Sequence, residues 1–156
     1  KIEKLQEPPG RMEYVETKSR LVFINDAYNA NPVSTRAGLA AFSKMPCAGR
    51  KIAIVGSMLE LGDEHIALHR QIGHSLDGLD LDTLICVGEL AAEVGDNAPS
   101  NIKVLKLSSV SDACNWLYSN ALVDDLVYLK ASRGEAFEDI IAYFQSNQNL
   151  EKCFIG

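Results

Sequence analysis

Short, unbroken apolar runs alternate along this chain with longer stretches whose apolar residues recur at three- and four-residue spacing. The runs at 21–24, 51–55, 83–87, 102–105 and 126–129 are built mainly from Val, Ile, Leu, Phe and Tyr, with Lys51, Thr83 and Lys103 as their polar members, and they have the length of strands buried on both faces. The stretch 12–17 alternates instead, which predicts one more strand ahead of them. Between the runs, 32–45, 64–76, 90–94, 111–118 and 136–144 carry helical periodicity. The first of these helices has legible boundaries. Asn31 supplies an N-cap oxygen, Pro32 takes a first helical position where no N–H is needed, and Pro46 and Gly49 stop the helix.

Strands alternating with amphipathic helices predict an α/β fold. A Rossmann-like, mostly parallel sheet of about six strands with helices on both faces follows, because each right-handed crossover lays a helix over the strands it joins. The 156 residues, 47% of them hydrophobic, suffice for a single core. No linker or low-complexity tract interrupts them, so 1–156 is expected to be one domain.

Charge narrows the partners. With 15 Lys and Arg against 21 Asp and Glu, the net charge is −6, which argues against a sequence-independent grip on nucleic acid. No apolar run approaches the roughly 18 residues of a spanning helix, and 1–10 lacks the apolar core of a secretory signal; a soluble chain with no membrane partner is expected. Cys47, Cys86, Cys114 and Cys153 are far apart with no C-x-x-C pair, so reduced thiols are expected, with Cys86 buried in a strand.

Ligands of such sheets gather where strands end and helices begin, and two of those loops carry chemistry. The loop from Asn25 to Pro32 holds Asp26, Tyr28, Asn29 and Asn31. A helix cap uses only Asn31, whereas a carboxylate at a strand end suits ribose hydroxyls and amides suit a purine edge. The loop from Lys130 to Glu135 places Lys130, Ser132 and Arg133 before a helix, an anion site in outline. The loop from Gly56 to Asp63 carries Met58, Leu59 and Leu61 and reads as packing. His65 and His69 are four apart, but Ile66 follows His65 where a zinc-protease order needs Glu; a polar helix face is expected and no metal site. There is no G-x-x-x-x-G-K-S/T loop and no G-x-G-x-x-G turn, so the chain alone is not expected to hold a nucleoside triphosphate firmly.

Taken in order, Pro9-Gly10-Arg11-Met12-Glu13, Asp26-Ala27-Tyr28-Asn29-Ala30-Asn31-Pro32, Gly56-Ser57-Met58-Leu59-Glu60-Leu61-Gly62 through His69, and Leu129-Lys130-Ala131-Ser132-Arg133-Gly134 resemble the successive motifs of the carboxy-terminal domain of Mur ligases. The Tyr28 to Pro32 form is similar to that of the D-alanyl-D-alanine-adding branch, MurF. The resemblance implies a three-domain enzyme of peptidoglycan precursor synthesis. An amino-terminal domain would hold the UDP-sugar and a central ATPase domain the phosphate loop and Mg2+, while this domain, joined through 1–20, closes over both and is inactive alone. In such enzymes ATP phosphorylates the carboxylate of UDP-N-acetylmuramoyl-tripeptide, and the amine of D-alanyl-D-alanine attacks the acyl phosphate.

Residue by residue, the resemblance implies that Arg11 contacts the nucleotide and Asp26 its ribose, with Tyr28, Asn29 and Asn31 lining the same cleft. Lys130, Ser132 and Arg133 would face the dipeptide and its carboxylate. It implies a bacterial cytoplasm, or a plastid stroma in a plant or alga. Two positions depart from the pattern: Ser57 stands where Asp is usual, and Ala131 replaces a common Gly, a restriction only if φ is positive there. Competing readings are a receiver-like signalling module using Asp26 and Lys130, whose third core strand ends on Gly88 and Glu89 rather than Asp, and a stand-alone nucleotide-binding domain without ligase activity.

Overall fold

The computed structural model describes residues 9–146. Cys153 and the first eight residues of the expected junction lie outside the described residues. In chain order the elements are β1 (Glu13–Glu16), β2 (Val22–Asn25), α1 (Pro32–Ser43), β3 (Lys51–Val55), α2 (His65–Ser75), β4 (Thr83–Val87), α3 (Glu89–Asp96), β5 (Lys103–Leu107), α4 (Val110–Asn120), β6 (Leu126–Lys130) and α5 (Glu138–Gln145).

Six strands form one sheet in the order β1-β2-β6-β3-β4-β5. All neighbours are parallel except β1, which runs antiparallel on the outer edge of β2. That edge pair closes through a tight turn in which Thr17 bonds Leu21 O through both its N–H and its hydroxyl, and Arg20 takes φ 69°. The last strand, β6, is inserted between β2 and β3, with Asn25 opposite Leu129 and Val55 opposite Lys130. The loops after β2, β3 and β6 therefore leave the sheet side by side, although more than a hundred residues separate the first from the last.

Alternation along the strands divides the core into two layers, since successive side chains point to opposite faces. Phe23, Ile52, Ile54, Ile85, Val127 and Leu129 pack with Ala113, Leu117, Ile140 and Phe144 of α4 and α5. Ala53, Val55, Leu84, Cys86 and Tyr128 pack on the other face with Leu39, Phe42, Ile72 and Val94 of α1, α2 and α3 and with Leu76, which caps α2. Burial pushes the thiol of Cys86 up to about 12 and that of Cys114 up to about 11, so both remain protonated at neutral pH. Among the described residues no helix is long and apolar enough to cross a membrane.

Two short 3-10 turns that the periodicity reading did not contain lie on loops at the sheet's carboxyl rim. A 3-10 turn, Gly62–Glu64, precedes α2, and another, Arg133–Glu135, followed by left-handed Ala136 at φ 57°, delays α5 to Glu138. Ala131 is buried and has no positive φ. Its methyl lies where Gly56 leaves room: a Cβ added at Gly56 would sit 2.8 Å from it. An alanine in place of the usual glycine is thus accommodated by the neighbouring loop rather than by strain.

Candidate functional site

The rim where β2 and β6 end is organised around the carboxylate of Asp26, which is 7% exposed. Its backbone N–H bonds Leu129 O, carrying the parallel ladder one step beyond the strand. Oδ1 accepts the N–H of Met12 at 3.1 Å, while Oδ2 accepts the Tyr128 hydroxyl at 2.5 Å and the Lys130 ammonium at 3.1 Å. Lys130 is itself 4% exposed, so the two charges form a buried pair that balances in place. Burial, reinforced by the adjacent Asp26 charge, drives the Tyr128 phenol far above its ordinary range, keeping it a neutral donor. Helix α1 crosses this cluster at Gly38, where a Cβ would fall 2.0 Å from the Tyr128 oxygen and 2.7 Å from Asp26 Oδ2.

Above the cluster, the ring of Tyr28 is stacked with two guanidinium groups, Arg11 at 4.6 Å and Arg133 at 5.0 Å from its centroid, both within cation–π range. The Tyr28 N–H bonds Gly10 O. Gly10 needs its φ of 81° and the absence of a side chain, since a Cβ would meet Tyr28 N at 3.0 Å. Asn31 caps α1 in a capping box with Ser34. A cleft of about 220 Å3 beside Tyr28 is lined by Arg11, Asp26, Asn29, Asn31, Ser34 and Lys130. Another of about 370 Å3, also walled by Tyr28, is lined by Pro9, Gly10, Asn25, Ala27, Arg133 and Glu138.

The structure thus brings Arg11, Asp26, Tyr28, Asn29 and Asn31 to one cleft, but it divides the group expected beside them. Lys130 lies in the first cleft, on Asp26 rather than alongside Arg133. Arg133 lies in the second. Ser132 lines neither, being 5% exposed with its hydroxyl accepting the Leu59 N–H at 2.8 Å and lying 3.5 Å from Ala30 O. Its oxygen ties three loops together instead of facing solvent. Ser57 is also buried; it lies toward Gly88, and its carbonyl accepts the Ser132 N–H.

Two residues were undervalued by spacing alone. Glu138 opens α5 and enters the second cleft, but a carboxylate in a first helical turn has an ordinary reading in the helix dipole. His69 is fully buried rather than on a polar face. Its ring lies with one nitrogen 2.6 Å from His65 O and the other 2.9 Å from Met58 N, so a neutral tautomer donates to the carbonyl and accepts the amide. Periodicity places positions 65 and 69 on one stripe but does not say that the 56–61 loop folds back over 69. Met58, read as packing, is buried in the core layer as expected. Among the described residues no group of three His, Cys, Asp or Glu side chains is gathered to hold a metal.

Burial lowers the pKa of His69 from its ordinary 6.5. As pH falls, the unfolded chain takes up this proton before the folded one does. The contribution of His69 is therefore complete above about pH 6.5 and is lost as pH falls from there through the lowered folded value. The fall in Tm between about pH 7.5 and pH 5.5 is expected to be smaller in His69→Gln than in the parent chain, and thermal unfolding at both pH values measures the difference.

Residues 10–133 match the family profile described as Mur ligase, glutamate ligase domain. The UDP-N-acetylmuramoyl-tripeptide–D-alanyl-D-alanine ligase of Bacillus subtilis is 33% identical over 134 residues, 84% of this chain and 29% of that protein. The enzyme of the same name from Escherichia coli is 26% identical over 143 residues, 92% of this chain and 31% of its own length. This chain therefore spans about a third of the curated relatives it matches. Among solved structures, MurF ligase from Thermotoga maritima in complex with ADP superposes over 96% of this chain and 33% of its own, with a TM-score of 0.75 and 28% identity. A MurF from Acinetobacter baumannii gives a TM-score of 0.77 at 26% identity, over 91% of this chain and 32% of that one.

Proposed function

This chain belongs to the Mur ligase family through its C-terminal, glutamate ligase domain, and from that premise we propose that it closes the active site of an ATP-dependent ligase adding D-alanyl-D-alanine to UDP-N-acetylmuramoyl-tripeptide. The observation that carries the reading is the meeting of Asp26, Lys130, Arg11, Tyr28 and Arg133 at one rim, as two clefts sharing the Tyr28 ring. A first cleft of about 220 Å3 is smaller than the roughly 300–1,000 Å3 that encloses a ligand of drug size. It is half a site, whose other wall belongs to a central ATPase domain that the relatives' greater length provides for, with residues 1–20 as the junction.

In this reading ATP supplies the phosphoryl group that activates the tripeptide carboxylate, and Mg2+ and the phosphates are held by the central domain. Arg11 meets the nucleotide across the junction. Asn29 and Asn31 offer amides to the base or ribose edge. A carboxylate has about four lone-pair sites, and Asp26 uses three of them internally, leaving one on Oδ1 for a ribose hydroxyl. Lys130 keeps donors beyond the one given to Asp26 and serves the nucleotide cleft; Arg133 serves the dipeptide, and Ser132 holds the loop between them. A receiver-type reading is disfavoured by the same geometry, since a phosphorylatable carboxylate must be free to attack, and both Asp26 oxygens already accept hydrogen bonds from Met12, Tyr128 and Lys130.

The full-length polypeptide is expected to release phosphate from ATP only when both UDP-N-acetylmuramoyl-tripeptide and D-alanyl-D-alanine are present. Phosphate release indifferent to the dipeptide, or none at all, sinks the reading.

A further inference from the structure

The loop between β3 and α2 is held at three consecutive residues, and the middle hold is a side chain. The Ser57 carbonyl accepts the Ser132 N–H at 3.1 Å, and the Leu59 N–H donates to the Ser132 hydroxyl at 2.8 Å. Between them Met58 donates its N–H to Nε2 of His69 at 2.9 Å, its one described acceptor. Residues 56–61 lie outside any helix or strand, so no ladder carbonyl takes this amide. Met58 is 2% exposed, and an amide released there is left unpaired. A backbone N–H only donates, so the facing Nε2 carries no proton, and Nδ1, 2.6 Å from His65 O, carries it. The ring is committed to one neutral tautomer, and burial, which lowers its pKa, keeps it neutral.

What this ring holds reaches well beyond its own helix. Ser132 gives both its backbone N–H and its hydroxyl to the 57–59 loop, and the next residue, Arg133, lines the second cleft with its guanidinium 5.0 Å from the Tyr28 centroid. Lys130 is fixed by other means. Its ammonium is held by Asp26, and its backbone lies opposite Val55 in the β3–β6 ladder. A loop released at Met58 therefore loosens Arg133 and leaves Lys130 and the first cleft in place. We infer that His69 is a positioning residue of the ligase site: through Met58 it clamps the 57–59 loop on Ser132 and so fixes Arg133 at the second cleft. The inference rests on the ligase reading above, in which Arg133 serves the dipeptide, and adds to it a residue from a helix that lines neither cleft.

Steady-state kinetics of the full-length polypeptide, at a temperature where circular dichroism shows each variant folded, test this. His69→Leu removes the acceptor and should raise KM for D-alanyl-D-alanine about tenfold, the scale of a buried amide left unpaired, with KM for ATP within about twofold of the parent. His69→Gln, whose side-chain oxygen reaches the Nε2 position, should bring the dipeptide KM back to within about threefold. Where His69→Leu is too unstable to assay, His69→Asn takes its place, since asparagine reaches His65 O but falls short of Met58. Ser132→Ala should show the same split between the two substrates. Joined to the His69 variant it should add less than about twofold, because both act through one loop. A dipeptide KM unmoved by loss of the acceptor, a rise in both KM values alike, no recovery with glutamine, or fully additive effects with Ser132→Ala each overturn the positioning role and leave the ligase intact. A parent without dipeptide-dependent phosphate release condemns the ligase reading itself.

Discussion

Replacing Gly38 by alanine is expected to destabilise the chain by about 3 kcal/mol, the upper part of the usual range for overpacking, and to lower Tm by about 10 °C at this chain length. The reason lies in what the new methyl meets. Its nearest neighbours are the Tyr128 hydroxyl oxygen at 2.0 Å, Asp26 Oδ2 at 2.7 Å and Tyr128 Cζ at 3.1 Å, and none of these is the free end of a flexible side chain. Tyr128 is fully buried and stacks on Phe42; Asp26 is fixed by three donors. Either α1 lifts from the sheet or the Tyr128–Asp26 bond breaks, and each exposes or strands a buried polar group.

The double variant Gly38→Ala/Tyr128→Phe separates the two. Removing the hydroxyl takes away the 2.0 Å contact but leaves those to Asp26 Oδ2 and the ring carbon. About half of the loss should return if the clash with the phenol oxygen dominates, as measured by urea unfolding of the four members of the cycle. A Gly38→Ala chain as stable as its parent contradicts the close packing of α1 on Asp26.

This cluster shows where sequence reading reaches and where it stops. The cap of α1 was legible because it is local: Asn31 and Pro32 mark it within one turn, and Ser34 completes the capping box in the structure. Strands β3 and β4 were legible because both faces are covered, so every position after the leading Lys51 and Thr83 is apolar. The pairing of Asp26 with Lys130 depends on β6 entering the sheet between β2 and β3, and no local pattern states a strand order. The loops bearing Tyr28, Arg133 and Ser132 were recognised by composition. Which of their side chains face a cleft and which turn inward depends on backbone donors such as Leu59 N–H, supplied by a third loop. Gly38 and His69 were invisible for the same reason: helical spacing marks a buried stripe, but not the phenol or the amide waiting on the other side.

Neutralising Asp26 alone should therefore cost more than removing both members of its pair. In Asp26→Asn the Lys130 ammonium stays 4% exposed without its counter-charge, a change worth about 3–5 kcal/mol when a buried pair loses one partner. In Lys130→Met the carboxylate keeps the Tyr128 hydroxyl and the Met12 N–H, so the loss should be smaller, about 2 kcal/mol. The double variant Asp26→Asn/Lys130→Met has no buried charge to strand and should be at least about 2 kcal/mol more stable than the sum of the single losses predicts. The same cycle carries a functional consequence. Because both side chains line the first cleft, each single variant of the full-length polypeptide should raise KM for ATP, and Lys130→Met should leave KM for D-alanyl-D-alanine within about twofold of the parent. Strict additivity in unfolding would mean that the ion pair is not formed in solution. A Lys130→Met effect confined to the dipeptide would return that lysine to the second cleft beside Arg133.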